Sequence, residues 1–293
     1  MGVAVAAVDE SLDRVGLMWS RAIAPGLLEN LQHLDVIEII AEQFMSASTA
    51  ELRALRSLGR SLPLRVHGVA LGMASASPVE QDRVERLAHV IDRVEPEAWS
   101  EHLAFVRSCG VEIGHLAAPP RNESTVDGCV RNVARARSVI GAPPLVENIA
   151  TLIEPPASDR DEATWVTEIA VGAGVNLLLD VHNLHANATN FGFSPLDYLA
   201  QIPIERVAEV HVSGGEMSSL GLDVAPRLVD DHHHDPPAAV YALVEALAAR
   251  AARPLTVLIE RDDRFPPMSV LVEQIGQVRA ALARGRAHAK VAS

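Results

Sequence analysis

The sequence predicts an α/β fold, a (β/α)8 TIM barrel. Three observations carry this reading. Eight short β-type runs alternate with Ala-, Leu-, Arg- and Glu-rich stretches of helical spacing. They occupy about 250 residues, the length of one such barrel. No Gly-rich fingerprint follows the first run, as a doubly wound nucleotide-binding sheet usually requires. In chain order the strands are VGLMW (15–19), VIEII (36–40), PLRVHG (63–68), WSEHLA (99–104), PLVEN (144–148), VNLLLDV (175–181), VAEVHVS (207–213) and LTVLIER (255–261). Each is a short apolar run, the pattern of a strand buried on both faces. The helices between them include 78–94, 124–140, 160–173, 237–252 and 268–284. One domain over 1–283 is expected, with 284–293 (RGRAHAKVAS) as a small, basic, frayed tail.

Composition narrows the class. The 293 residues are 48% hydrophobic and 22% charged, which suits a soluble protein with a large core. No apolar run reaches the roughly 18 residues of a membrane helix. The opening MGVAVAAVDE lacks a basic segment, so no secretory signal is expected. Cys109 and Cys129 are read as reduced thiols of a cytoplasmic protein. The net charge of −13 repels phosphate backbones and argues against a nucleic-acid partner.

The polar residues of the strands fall near their C-terminal ends. Glu42 follows the second strand and His67 ends the third. Glu101 and His102 lie on the fourth, Glu147 and Asn148 end the fifth, and Asp180 and His182 end the sixth. His211 lies near the end of the seventh and Glu260 ends the eighth. In a barrel these ends converge on one mouth, where active sites form. Alone, a histidine at a strand end is a hydrogen-bonded structural residue and a glutamate after a strand is a solvated loop residue. Together, so many carboxylates and imidazoles need a neutralising cation. Nitrogen and oxygen donors without thiolate fit iron, manganese or zinc. The loop LVDDHHHDPP (228–237) adds Asp230 and His232 as an Asp-x-His pair, and Asp231 with His233 has the same spacing. The donors exceed one coordination sphere, which predicts two or three ions.

The ordered fragments IEIIAEQFM (37–45), LRVHGVALGMAS (64–75), WSEHLAF (99–105), LVENIA (145–150), LLLDVHNLHANATNFGF (177–193), VAEVHVSGG (207–215), VDDHHHDPPAAVYAL (229–243) and VLIERD (257–262) resemble the multinuclear non-heme iron-dependent oxidative enzymes. That family was formerly domain of unknown function 692, and includes the methanobactin-biosynthesis oxidases. The likeness covers about residues 14–280. It implies a xylose-isomerase-like TIM barrel holding two or three iron ions. It further implies an enzyme that uses molecular oxygen to oxidise a ribosomally made precursor peptide, often at cysteine, beside a partner protein that captures the leader. Carried over by motif, the metal ligands would be His67, His102, Glu147, Asp180, His211, Asp230, His232 and Glu260. The expected grouping puts His67, His102 and Glu147 on one flank. Asp180, His211 and Glu260 stand at the centre, bridged by Glu147. Asp230 and His232 form the other flank, with His182 or Asn183 nearby. Asn148 and Asn183 would support the cofactor, and Glu101, His182 and His185 would move protons.

The chain departs from the family pattern at several points. His182 replaces the first of two asparagines, Met18 an arginine of the first strand, and Arg261 a tryptophan of the last. His182 is read as a ligand on the same strand face as Asp180. Three rival readings share the barrel: a metal-dependent sugar isomerase or epimerase, a three-metal endonuclease, and a non-catalytic metal-binding scaffold. Lys290 lies in the tail and cannot act as an isomerase base. Acidic charge and 3% aromatic residues disfavour a nuclease.

Overall fold

The computed structural model describes residues 12–108, 110–219, 221 and 225–292. Eight parallel strands close a barrel: β1 (Arg14–Met18), β2 (Val36–Ile40), β3 (Leu64–Gly68), β4 (Ala98–His102), β5 (Leu145–Glu147), β6 (Asn176–Asp180), β7 (Val207–Val212) and β8 (Thr256–Ile259). Each strand pairs with its sequence neighbours, and β8 returns to β1 through Arg14 opposite Thr256 and Leu17 opposite Ile259. Strand boundaries fall within two residues of the sequence expectation. Helices α1 (Ala24–Glu29), α2 (Thr49–Gly59), α3 (Gln81–Val94), α4 (Glu123–Ile140), α5 (Glu162–Ala173), α6 (Val181–Phe191), α7 (Pro195–Gln201), α8 (Ala238–Arg250) and α9 (Met268–Ala292) accompany them.

Sequence-local chemistry starts these helices. Ser48 and Glu51 form a reciprocal capping box on α2, and Asn122 and Thr125 do so on α4. Asp161 caps α5 through the Thr164 amide. The outer faces of the strands present Leu17, Ile37, Ile39, Val66, Leu177, Val210 and Val257 to the helices, each 1% exposed or less. Each such side chain contributes about 1.5–3 kcal/mol by leaving water.

Two features depart from expectation. Helix α9 does not end near residue 284; it continues to Ala292. Arg284 pairs with Glu245 and Arg286 with Asp13, each at 2.6 Å, which ties the expected tail to α8 and to the chain before β1. Two antiparallel hairpins also rise from the mouth, where the strand list has only loops. One joins Phe105–Ser108 to Val111–Ala117 after β4, and the other joins Gly215–Ser218 to Arg227–Asp230 after β7. Cys129 is buried as a free thiol, and Cys109 lies outside the described residues. Among the described residues no helix is long and apolar enough to cross a membrane.

Candidate metal centre at the barrel mouth

Strand alternation sorts the polar residues. On β3, Arg65 and His67 share one face; on β7, Glu209 and His211 do. The contacts show that this face is the barrel interior. Arg65 Nε lies 2.8 Å from Glu209 Oε2, and His211 Nδ1 lies 3.3 Å from Glu147 Oε1. Branched aliphatic residues usually fill a TIM barrel. Here ionisable side chains do, and nearly all are sealed from water. Glu38, Glu147, Asp180, His211 and Glu260 are each 4% exposed or less.

Glu147, the last residue of β5, is the hub. Its Oε2 lies 3.4 Å from His67 Nε2 and 3.3 Å from His102 Nε2. Its Oε1 faces His211 Nδ1, which also lies 3.1 Å from Glu260 Oε1. Two groups of donors therefore share one carboxylate: His67, His102 and Glu147, and then Glu147, Asp180, His211 and Glu260. Within each group the donor atoms lie inside 4.8 Å of one another. The structure thus brings these six motif residues within reach of one another.

The third expected group is built differently. Strand β6 stops at Asp180, one residue earlier than read, and α6 begins at Val181. Asp180 caps that helix, since its Oδ1 accepts the Asn183 amide at 2.7 Å. His182 therefore stands on the first turn of α6 and does not continue the strand face. Its Nδ1 lies 2.8 Å from Asp230 Oδ1. Asp230 Oδ2 in turn lies 3.0 Å from His232 Nε2. His182, Asp230 and His232 thus meet in a chain of contacts beside the central group. His232 has a positive φ of 53° and is fixed by its amide to the Gly214 carbonyl at 3.0 Å. That turn aims its Nδ1 toward Glu260 Oε2 at 3.7 Å. Asp231, by contrast, accepts from the His233 amide and from His234 Nδ1, and with Glu216 and His234 it forms a separate, more exposed donor group.

Three other residues singled out in the sequence lie outside the donor groups. Glu101 lies on the opposite face of β4 from Ser100 and His102, and its carboxylate accepts the Leu71 and His102 amides at 3.2 and 3.0 Å. It braces the chain outside the donor groups. His185, a turn further along α6, is half-buried with its ring centroid 6.3 Å from that of His182, and it reaches none of the carboxylates. Arg261 binds Asp235 and the Asp263 and Arg264 carbonyls on the rim. Asn148 clamps Asp180 at two points, donating to its carbonyl at 3.0 Å and accepting its amide at 2.9 Å. Asn183 donates to the Asn148 carbonyl and leaves its own Oδ1 buried without a partner.

Sequence reasoning missed the layer beneath. Glu38, Arg65 and Glu209 sit inside the barrel below the donor groups, and Glu38 Oε2 lies 2.9 Å from His211 Nε2. The signal was present: each is a charged residue flanked by apolar ones in VIEII, LRVHG and VAEVH, and Arg65 and Glu209 share the parity of His67 and His211. Ser100 was missed too; its Oγ lies 2.7 Å from His67 Nδ1 and leaves Nε2 facing Glu147.

Electrostatics and donor chemistry test whether metal ions fit. Burial pushes the Glu147 carboxyl up to about 7 and, with Asp230 beside it, pushes Asp180 up to about 8. Burial also lowers His67, and lowers His102 to about 4. Burial would raise Glu260 as well, but His211 and His232 hold it low. Both Glu147 oxygens, Asp180 Oδ2 and His211 Nδ1 are buried with no hydrogen-bond partner, a costly state unless they hold something. Nitrogen and carboxylate oxygen donors suit iron, manganese or zinc. The residues present fit a group of metal ions.

Above these donors opens a cavity of about 830 Å³. His67, His102, Glu147, Asp230, His232 and Glu260 line its floor. Phe105 and Leu116 of the first hairpin and Ile149, Leu152, Ile153 and Pro155 after β5 give it an apolar wall. Met18 adds to that surface.

Comparison with known proteins gives a family and a fold. The family described as "RiPP precursor modification enzyme MbnB/TglH/ChrH" matches residues 14–283. A UPF0276 protein of Caulobacter vibrioides is 33% identical over 253 residues, covering 86% of this chain and 88% of its own. Among solved structures, a xylose isomerase domain containing protein from Salmonella typhimurium LT2 aligns with a TM-score of 0.59 at 15% identity, over 95% of this chain and 99% of that one. The D-psicose 3-epimerase of Clostridium cellulolyticum H10 aligns with a TM-score of 0.59 at 12% identity, over 94% and 99%. At these identities the two structures show a shared xylose-isomerase-like barrel and nothing of the chemistry.

Proposed function

Since the chain belongs to the MbnB/TglH/ChrH family of RiPP precursor modification enzymes, we propose that it oxidises a ribosomally made precursor peptide, at a cysteine, with molecular oxygen and two or three bound iron ions. The observation that carries this reading is the sharing of Glu147 between two donor groups. A carboxylate whose two oxygens face different sets of ligands is the natural bridge of a multinuclear centre. His67, His102 and Glu147 would hold one ion. Asp180, His211 and Glu260, with Glu147, would hold a second, and Asp230 with His232 would hold a third. Bound there, the ions supply the reduction of oxygen and a seat for the substrate thiolate.

The residues of the chain prepare that chemistry. Ser100 orients His67 and Asn148 orients Asp180. His182 would act on Asp230 through Nδ1, and its Nε2 is buried without a hydrogen-bond partner. The apolar wall would take the side chains flanking the reacting residue and exclude water from the floor. A leader-binding partner protein would deliver the peptide, and the setting would be the cytoplasm. The test is oxygen consumption by anaerobically iron-loaded protein, on adding a cysteine-bearing precursor peptide encoded beside it, with mass spectrometry of the product. A mass change confined to the cysteine and dependent on both iron and oxygen is expected. Turnover of a free sugar with no action on the peptide would overturn the proposal.

A further inference from the structure

The charged layer below the donor groups has no part in the reading so far. Glu38 from β2, Arg65 from β3 and Glu209 from β7 fill it, none more than 7% exposed. Charges sealed this deeply are costly unless each is matched. Arg65 and Glu209 match each other, Nε to Oε2 at 2.8 Å, with Arg65 Nη2 also 3.5 Å from Thr256 Oγ1. Glu38 is left, and the nearest base is His211: Oε2 lies 2.9 Å from Nε2, a charge contact without hydrogen-bond alignment, in a cluster of Glu38, Glu209 and His211 donor atoms. Glu209 Oε1 is further from the same nitrogen, at 3.7 Å. The opposite nitrogen, Nδ1, faces Glu260 and Glu147.

An imidazole that ligates a metal through one nitrogen carries its proton on the other, and the group that accepts that proton fixes both tautomer and ring plane. We propose that Glu38 is the positioning residue of His211. With Nδ1 turned to an ion above, Nε2–H would align on the Glu38 carboxylate 2.9 Å below. The Arg65–Glu209 pair is the brace that occupies Glu209 and so leaves Glu38 in that role. Ser100 gives His67 the same support from the other side, hydroxyl to Nδ1. The floor of the barrel is then part of the metal centre, though none of its side chains reaches the cavity. This inference rests on the mouth being an iron centre.

Anaerobic ferrous-iron binding by chelator competition tests it, with ions counted per chain and a Mössbauer spectrum recorded, on wild type and Glu38→Gln. The expected result is an unchanged number of ions, an affinity about 10–100-fold weaker, and altered parameters for one iron only. Wild-type affinity and spectrum in a folded Glu38→Gln protein would overturn the proposal. Loss of one whole ion at unchanged affinity for the rest would also overturn it, since Glu38 would then be a ligand. If circular dichroism shows that Glu38→Gln does not fold, Glu38→Asp is read the same way, because it keeps the charge but withdraws it by a methylene. Wild-type protein that takes up no iron removes the underlying reading and this one with it.

Discussion

Replacing Glu147 by glutamine should move metal content and metal-free stability in opposite directions. Glutamine has the shape of the neutral acid but cannot bridge two cations, because one of its two polar atoms is an NH2. Both carboxylate oxygens face donor partners at 3.3–3.4 Å, so neither can be lost harmlessly. Glu147→Gln should therefore lose at least one ion, and oxygen consumption with it. Metal-free protein should behave differently. Burial raises the Glu147 carboxyl from 4.5 to about 7. An acid whose pKa is higher folded than unfolded favours folding while protonated and opposes it once ionised. The cost is absent below pH 4.5, grows between there and about 7, and is complete above. A rise of that size corresponds to about 3 kcal/mol at pH 8. At about 2 °C per kcal/mol for a chain of this length, metal-free Glu147→Gln should melt about 6 °C above metal-free wild type at pH 8, and level with it at pH 4. Differential scanning calorimetry on chelator-treated protein, with metal analysis of the loaded forms, reads both effects. A variant that keeps full metal content and turnover would refute the bridging role, and one that melts below wild type when metal-free at pH 8 would refute the burial cost.

Other outcomes follow from single contacts. Asp180→Asn keeps an acceptor for the Asn183 amide, whereas Asp180→Ala removes both cap and ligand. Both should lose metal, and only the alanine variant should lose about a further 1 kcal/mol of metal-free stability. His232→Ala should lower the metal count by about one while His233→Ala should not; the reverse pattern in metal analysis would move the register to Asp231 and His233. Removing all metal should lower the melting temperature, because ions bind only the folded site; iron held at about 1,000 times its Kd contributes about 4 kcal/mol. Equal melting with and without chelator would contradict that.

The barrel was legible because its strands are short apolar runs spaced by helices, and the pattern survives in every unit. The donor groups were legible because strand ends converge in such a barrel, so residues far apart in sequence become neighbours by topology alone. What failed was local. LLLDVHN reads as a strand to residue 181, but Asp180 offers its carboxylate to the amide three residues on and turns the chain into α6 at once. Helix α6, VHNLHANATNF, is poor in strong helix formers, so propensity does not announce it. It is held by its cap and by burial of Leu184, Ala186 and Asn187. The hairpins escaped because VEIGHLA is largely exposed and shows no buried face. Glu101 lies one step of strand parity from His102, and that step separates the barrel interior from its outer wall.

The most direct test of the account is the metal content and Mössbauer spectrum of protein purified anaerobically after growth with added iron. The account predicts at least two irons per chain in distinct sites, with the signal reduced in Glu147→Gln. One zinc per chain, no bound iron and no gain in activity on adding iron would contradict it.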